Sequence, residues 1–179
     1  MSKACIGLLT GPVGVGKTTV AERVVRLARQ QGLACSGLLA PAMVNSCGQK
    51  IGIWGVDVFV GERRTLACTD RDPGGPTVGP YVFDAAALAW AVAVLEKAIG
   101  ACDLLVVDEI GKLELWRGIG LAPILPRLAS GEVGRALVLV RDSLLAELQG
   151  RLGSVEQIVV EVNEENRGEL PSRILQSLV

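Results

Sequence analysis

The chain has 179 residues, half of them apolar, with a mean hydropathy of +0.42 and a formal net charge of −1. That length suits one domain with a sizeable core, and the near-neutral charge argues against general nucleic-acid binding, which needs clustered excess Lys and Arg. The chain has no His, and its five Cys, at positions 5, 35, 47, 68 and 102, contain no CxxC pair, which argues against a zinc site and removes His-based catalysis.

Apolar runs alternate with amphipathic stretches along the chain. "ACIGLLTG" has the pattern of a buried strand ending in glycine, and its approach to a Gly-rich loop is too short for a secretory leader. Val20 to Gln31 carries Val, Leu and Ala at helical spacing, and Gly32 stops it. "ACSGLLAP" is a second strand. From Gln49 to Ala67 the pattern changes to alternation, with "VGERR" as a turn, which predicts a β-hairpin or meander inserted beside the main sheet. "TDRDPGGPTVGP" has the composition of a loop. Asp84 to Ile99 is predicted as a buried helix, and no stretch reaches the roughly 18 to 20 apolar residues of a membrane span. "DLLVVDE" is a buried strand. Leu121 to Ala129 is a helix with Pro123 in its first turn. "RALVLVRD" is a strand, Ser143 to Gln149 a short helix, "EQIVVEV" a strand and Arg167 to Leu178 the last helix. The alternation predicts one α/β domain over residues 1–179 with a mainly parallel sheet. The scattered thiols suit a reducing, cytoplasmic setting.

"GPVGVGKTT" matches G-x-x-x-x-G-K-S/T between an apolar strand and an amphipathic helix. Such a loop wraps phosphate oxygens with successive backbone N–H groups and adds the helix dipole. The nucleotide-binding residues are then Gly11, Pro12, Val13, Gly14, Val15, Gly16, Lys17, Thr18 and Thr19. Lys17 reaches the β- and γ-phosphates, and the Thr18 hydroxyl binds Mg²⁺. The strand "DLLVVDE" supplies the partner: Asp108 holds Mg²⁺, which offsets its repulsion with Glu109, and Glu109 orients or deprotonates the attacking water. Glu109 and Lys17 are the catalytic candidates. Lys112 and Arg141 are second-rank candidates for the γ-phosphate, as are Asn166 and Arg167 for the base or ribose. The competing reading of Asn166 is a cap on the last helix. Tyr81 is the one tyrosine, suited to stacking or to packing.

Four segments, "GPVGVGKTT", "VGPYVFD", "DEIGKLEL" and "EENRGEL", resemble in content and order the THEP1-type nucleoside-triphosphatase family of P-loop proteins. The resemblance implies a RecA-like sheet and Mg²⁺-dependent hydrolysis of ATP, GTP and other nucleoside triphosphates. It puts Asp108 and Glu109 on the family's metal and water-activating acids. The stretch "LLAPAMVNSCGQKIGIW" departs from the family pattern, with Lys50 in place of an Arg and Ile53 in place of an aromatic. Two other functions share such a site. One is a small-molecule or nucleotide kinase, which would usually need an Arg-rich lid that this sequence lacks. The other is a slow, nucleotide-gated regulatory or chaperone module with a protein partner. The high apolar fraction also leaves room for a homo-oligomer.

Overall fold

The computed structural model describes residues 4–179. Its strands form one sheet in the order β10-β1-β9-β8-β2-β4-β5-β7-β6, with β3 on β4. One half is parallel. It is built from β1 (Cys5–Thr10), β2 (Cys35–Leu39), β8 (Leu104–Ile110), β9 (Arg135–Val140) and β10 (Glu156–Glu161). The inner runs β1, β2, β8 and β9 are rich in Val, Leu and Ile and largely buried on both faces, as central parallel strands must be, while the edge strand β10 stays partly exposed at Val159. Neighbours in β1 show the split. Leu8 faces a core that includes Leu95, Leu128 and Leu148, from α2 (Ala85–Ala98), α4 (Ile124–Ala129) and α5 (Leu145–Leu152). Leu9 faces the other core, with Val24 of α1 (Lys17–Gln30) and Leu175 of α6 (Leu170–Leu178). This is the helix-flanked parallel core expected of the sequence.

The other half is antiparallel and larger than the predicted hairpin. It comprises β3 (Ala42–Val44), β4 (Lys50–Asp57), β5 (Arg63–Cys68), β6 (Gly74–Val78) and β7 (Tyr81–Asp84). The β4–β5 hairpin joins the main sheet directly through β2, where Leu39 pairs with Val56. The segment expected to be a loop contains β6, paired to β7 at Thr77–Val82 and Val78–Tyr81. Pro76 is tolerated because β6 lies at the sheet edge, where a missing N–H costs no ladder bond.

Helix boundaries also move. α1 begins at Lys17, three residues before the predicted Val20, because the phosphate loop leads straight into it. The last helix begins at Leu170, with Pro171 in its first turn, rather than at Arg167. A short helix α3 (Lys112–Arg117) follows β8, and the predicted Leu121 start shifts to Ile124. None of the helices among the described residues is long and apolar enough to cross a membrane.

Candidate active site

The loop between β1 and α1 is held open by glycines whose backbone no other residue would adopt easily. Gly11 has φ 143°, and a Cβ there would stand 2.8 Å from the Val162 carbonyl oxygen. Gly16, at φ 102°, turns the chain into α1. The first turn of α1 contains no acid, so its N–H groups and dipole are available to an anion. Lys17 folds back over the loop and donates to the carbonyls of Gly11 at 2.7 Å and Pro12 at 2.9 Å. Burial lowers its pKa, and the nearby Glu109 and Asp108 oppose that shift.

The two acids lie in β8, which does not end at them but runs on to Ile110. Val107 pairs with Val138 while Ile110 pairs with Val140, so β8 carries one residue more than β9 over this stretch. The bulge falls on Asp108 and Glu109, and a bulge re-aims side chains. Glu109 takes φ 70°, and among the described residues no other non-glycine has a positive φ. A left-handed non-glycine costs of order 1–3 kcal/mol, and such residues concentrate at functional sites. At the bulge the two carboxylates meet different partners, Asp108 the Ala40 N–H and Glu109 the Arg141 guanidinium.

Asp108 is buried and accepts the Ala40 N–H at 2.8 Å, with Thr18 as a second hydrogen-bonding partner. Burial pushes its carboxyl up to about 7. The neighbouring Glu109 adds to the rise, and the Ala40 and Thr18 hydrogen bonds oppose it. Glu109 remains partly exposed and pairs with Arg141 Nη2 at 2.7 Å. Arg141 follows β9, at the carboxyl end where ligands of open α/β sheets bind.

The cleft over the loop is lined by Gly14, Gly16, Lys17, Thr18, Lys50, Asp108, Glu109 and Arg141, among others. Most of the residues singled out in the sequence therefore converge. Arg167 joins them at the loop, since a Cβ on Gly16 would lie 3.9 Å from its Nη1. Lys112 does not line this cleft. It lies on the other side of Glu109, 4.9 Å from the centre of the Trp116 ring. Asn166 is not the cap of the last helix. Its side chain accepts the Asn163 N–H at 2.9 Å and donates to the Glu161 carbonyl at 2.9 Å, which ties the loop after β10. Glu169 precedes α6 and makes no side-chain cap.

Two contributors escaped the sequence. Ala40 acts through its backbone N–H, which leaves no side-chain signal. Glu114 is buried and accepts the N–H groups of Gly111 at 2.8 Å and Leu121 at 3.0 Å, fixing the turn after the bulge. Its position in "KLEL", three residues beyond a glycine, is the spacing of a helix cap.

The donor set suits a hard cation. A hydroxyl and a carboxylate adjoin, the carboxylate is desolvated, and phosphate oxygens would complete the shell, as Mg²⁺ prefers. Among the described residues no group of three or more His, Cys, Asp or Glu could hold a metal by itself. Replacing Asp108 with Asn gives a testable contrast. The unfolded carboxyl titrates near 3.8 and the folded one near 7, so stability falls as pH rises between these values and the full penalty holds above about 7. In metal-free buffer above that pH, Asp108→Asn is expected to raise Tm, by roughly 2–4 °C for each kcal/mol of penalty removed. The same change is expected to weaken Mg²⁺-dependent nucleotide binding. Thermal unfolding and calorimetry measure both, and a lowered Tm would contradict the buried-charge account.

A strand leading into a phosphate loop, an acid on a parallel strand separated from it by β9, and a second acid beside the first define a P-loop nucleoside-triphosphate enzyme. Comparison with known proteins gives the family. A family model described as NTPase matches residues 7–175, and the chain belongs to this NTPase family. Nucleoside-triphosphatase THEP1 of Thermofilum pendens is 30% identical over 172 residues, covering 96% of this chain and 93% of that one. Its namesake in Methanopyrus kandleri is 30% identical over 175 residues, covering 96% and 94%. The crystal structure of THEP1 from Aquifex aeolicus shares the fold, with a TM-score of 0.75 at 21% identity over 97% of this chain and 98% of that one. The solution structure of a human cancer-related nucleoside triphosphatase superposes with a TM-score of 0.72 at 28% identity, covering 97% of each.

Proposed function

We propose that this chain, as a single domain in the cytoplasm, hydrolyses nucleoside triphosphates to the diphosphate and phosphate with Mg²⁺. The observation that carries the reading is Glu109, a partly exposed acid at φ 70° beside a buried one, in the same cleft as Lys17 and Arg141. Thr18 and Asp108 would hold the cation, which would neutralise charge on the β- and γ-phosphates. The loop's N–H groups and Lys17 bind the phosphates. Glu109 orients a water and takes its proton. Arg141 pairs with Glu109 until a γ-phosphate offers a more charged partner. Its move to that phosphate would free the base as it adds a cation where charge develops. Arg167, over the loop at Gly16, and Asn166, within the next loop, flank the nucleoside end. The phosphate loop reads no base, so ATP and GTP both serve.

Phosphate release from ATP and GTP, measured without any added acceptor, tests this reading. Turnover is expected to fall at least about tenfold in EDTA and to return with Mg²⁺ or Mn²⁺, because the protein's ligands are hard oxygens. Zinc is not expected to be required. Release that persists undiminished in EDTA would remove the metal role from Asp108 and Thr18.

A further inference from the structure

Glu109 borders two concavities. Besides the phosphate-loop cleft, a second pocket opens on the far side of the bulge, and Asp108, Glu109, Arg141, Ala40 and Lys50 belong to both. The rest of the second pocket has a different character. Ile53 and Leu66 come from the β4–β5 hairpin, Phe83 from β7, Leu88 from α2, and Leu113 and Leu121 from the segment after β8. All except the half-buried Phe83 are buried. An attacking water needs only a base and a clear approach to the γ-phosphorus, so hydrolysis alone gives no reason for an apolar chamber beside the base. An organic nucleophile does. An apolar chamber buries its body, keeps competing water out and leaves its polar atom to Glu109, the partly exposed one of the three lining carboxylates, since Asp108 and Glu114 are buried and already accept backbone N–H groups.

The rim adds charge. Lys50 lies 5.1 Å from the centre of the Tyr81 ring, and Lys112 lies over the Trp116 ring. Among the described residues neither ammonium has a carboxylate within ion-pair distance, although each borders this pocket. Two cations without acidic partners at the mouth of an apolar pocket match an anionic substituent on the same molecule.

We propose that the second pocket takes a small alcohol, apolar in body and bearing one anionic group, as an acceptor of the γ-phosphoryl group. This rests on the assignment of Glu109 as the base. The acceptor hydroxyl gives its proton to the Glu109 carboxylate, and its oxygen forms the new bond to the γ-phosphorus. The bond from that phosphorus to the oxygen bridging the β-phosphate breaks, and its electron pair leaves with the nucleoside diphosphate. The products are a phosphate monoester and the diphosphate, and the proton passes from Glu109 to solvent. Nothing is oxidised or reduced. The pocket wall then does what an Arg-rich lid does in other kinases, because it excludes water without covering the site.

The test supplies the full chain with Mg²⁺, ATP labelled in its γ-phosphate, and millimolar para-(hydroxymethyl)benzoate or phenyllactate. Label is expected in a phosphate ester, saturating with the alcohol. Val78→Trp obstructs the pocket from a half-buried position on the edge strand β6, and Leu66→Trp does so from its wall. Each is expected to lower ester formation at least tenfold, with phosphate release in the absence of alcohol staying within about twofold. Val78→Trp keeps the test valid if the buried Leu66 position does not accept the larger ring. Label appearing only in inorganic phosphate, with both alcohols present and hydrolysis running, overturns the acceptor role and leaves the hydrolytic reading intact. Ester formed equally well by Val78→Trp overturns the pocket assignment. Label that never leaves ATP overturns both readings.

Discussion

Lys17→Ala is expected to lower kcat/KM for ATP by roughly a hundredfold to a thousandfold, the scale on which one preorganised charge-stabilising donor contributes to catalysis. Its ammonium donates to the loop's own carbonyls at Gly11 and Pro12, where phosphate oxygens would compete for it. Burial lowers its pKa, and the acids Glu109 and Asp108, the residues it is expected to act with, oppose that shift. Alanine at the first position of α1 has the best helix propensity, so the loss does not come from unfolding. Nucleotide affinity is expected to fall as well, because the lysine contacts the phosphates in ground and transition states alike. Single-turnover hydrolysis with calorimetric titration separates the two effects. A variant within a few-fold of the parent would remove the phosphate-loop assignment.

The elements most legible in the sequence were those set by local chemistry. The spacing from Gly11 to Thr18 works only if a strand ends and a helix begins at once, and both do. "LLVVDE" is apolar because β8 lies between β9 and β2 in the middle of the sheet. Features set by pairing partners were not legible. "GGPTV" has a turn's composition, and only β7 alongside makes it a strand. "KLELWR" is too short for a helical period, and what fixes it is Glu114 accepting the Gly111 and Leu121 N–H groups. The bulge at Asp108 and Glu109 depends on a register offset against β9, more than 25 residues away in sequence. The adjacency of the acids was therefore visible, while the φ 70° backbone at Glu109 was not. The second pocket is assembled from separate segments between Ala40 and Arg141, and no spacing announces it.

Glu109→Gln separates the two acids' roles. Glutamine keeps the size of the side chain and one hydrogen-bonding oxygen, but it loses the charge and the basicity. The ion pair to Arg141 is lost too, yet both partners are about a third exposed, so it is worth only about 0–1 kcal/mol to the fold. The strained backbone is unchanged, because Gln meets the same φ 70° cost as Glu. Tm is therefore expected to stay close to that of the parent. Binding of Mg·ATP is expected to hold or to tighten slightly, since Arg141 no longer has a carboxylate to leave before it meets the γ-phosphate. Hydrolysis is expected to fall roughly tenfold to a hundredfold, the low end of what a positioned base supplies. The signature is a drop in kcat with the nucleotide dissociation constant in place, opposite to Asp108→Asn, where binding itself suffers. Single-turnover phosphate release beside calorimetric binding reads both quantities. Turnover at the parent rate would make Glu109 a partner for Arg141 and nothing more, and the strain at φ 70° would then serve the bulge rather than the chemistry.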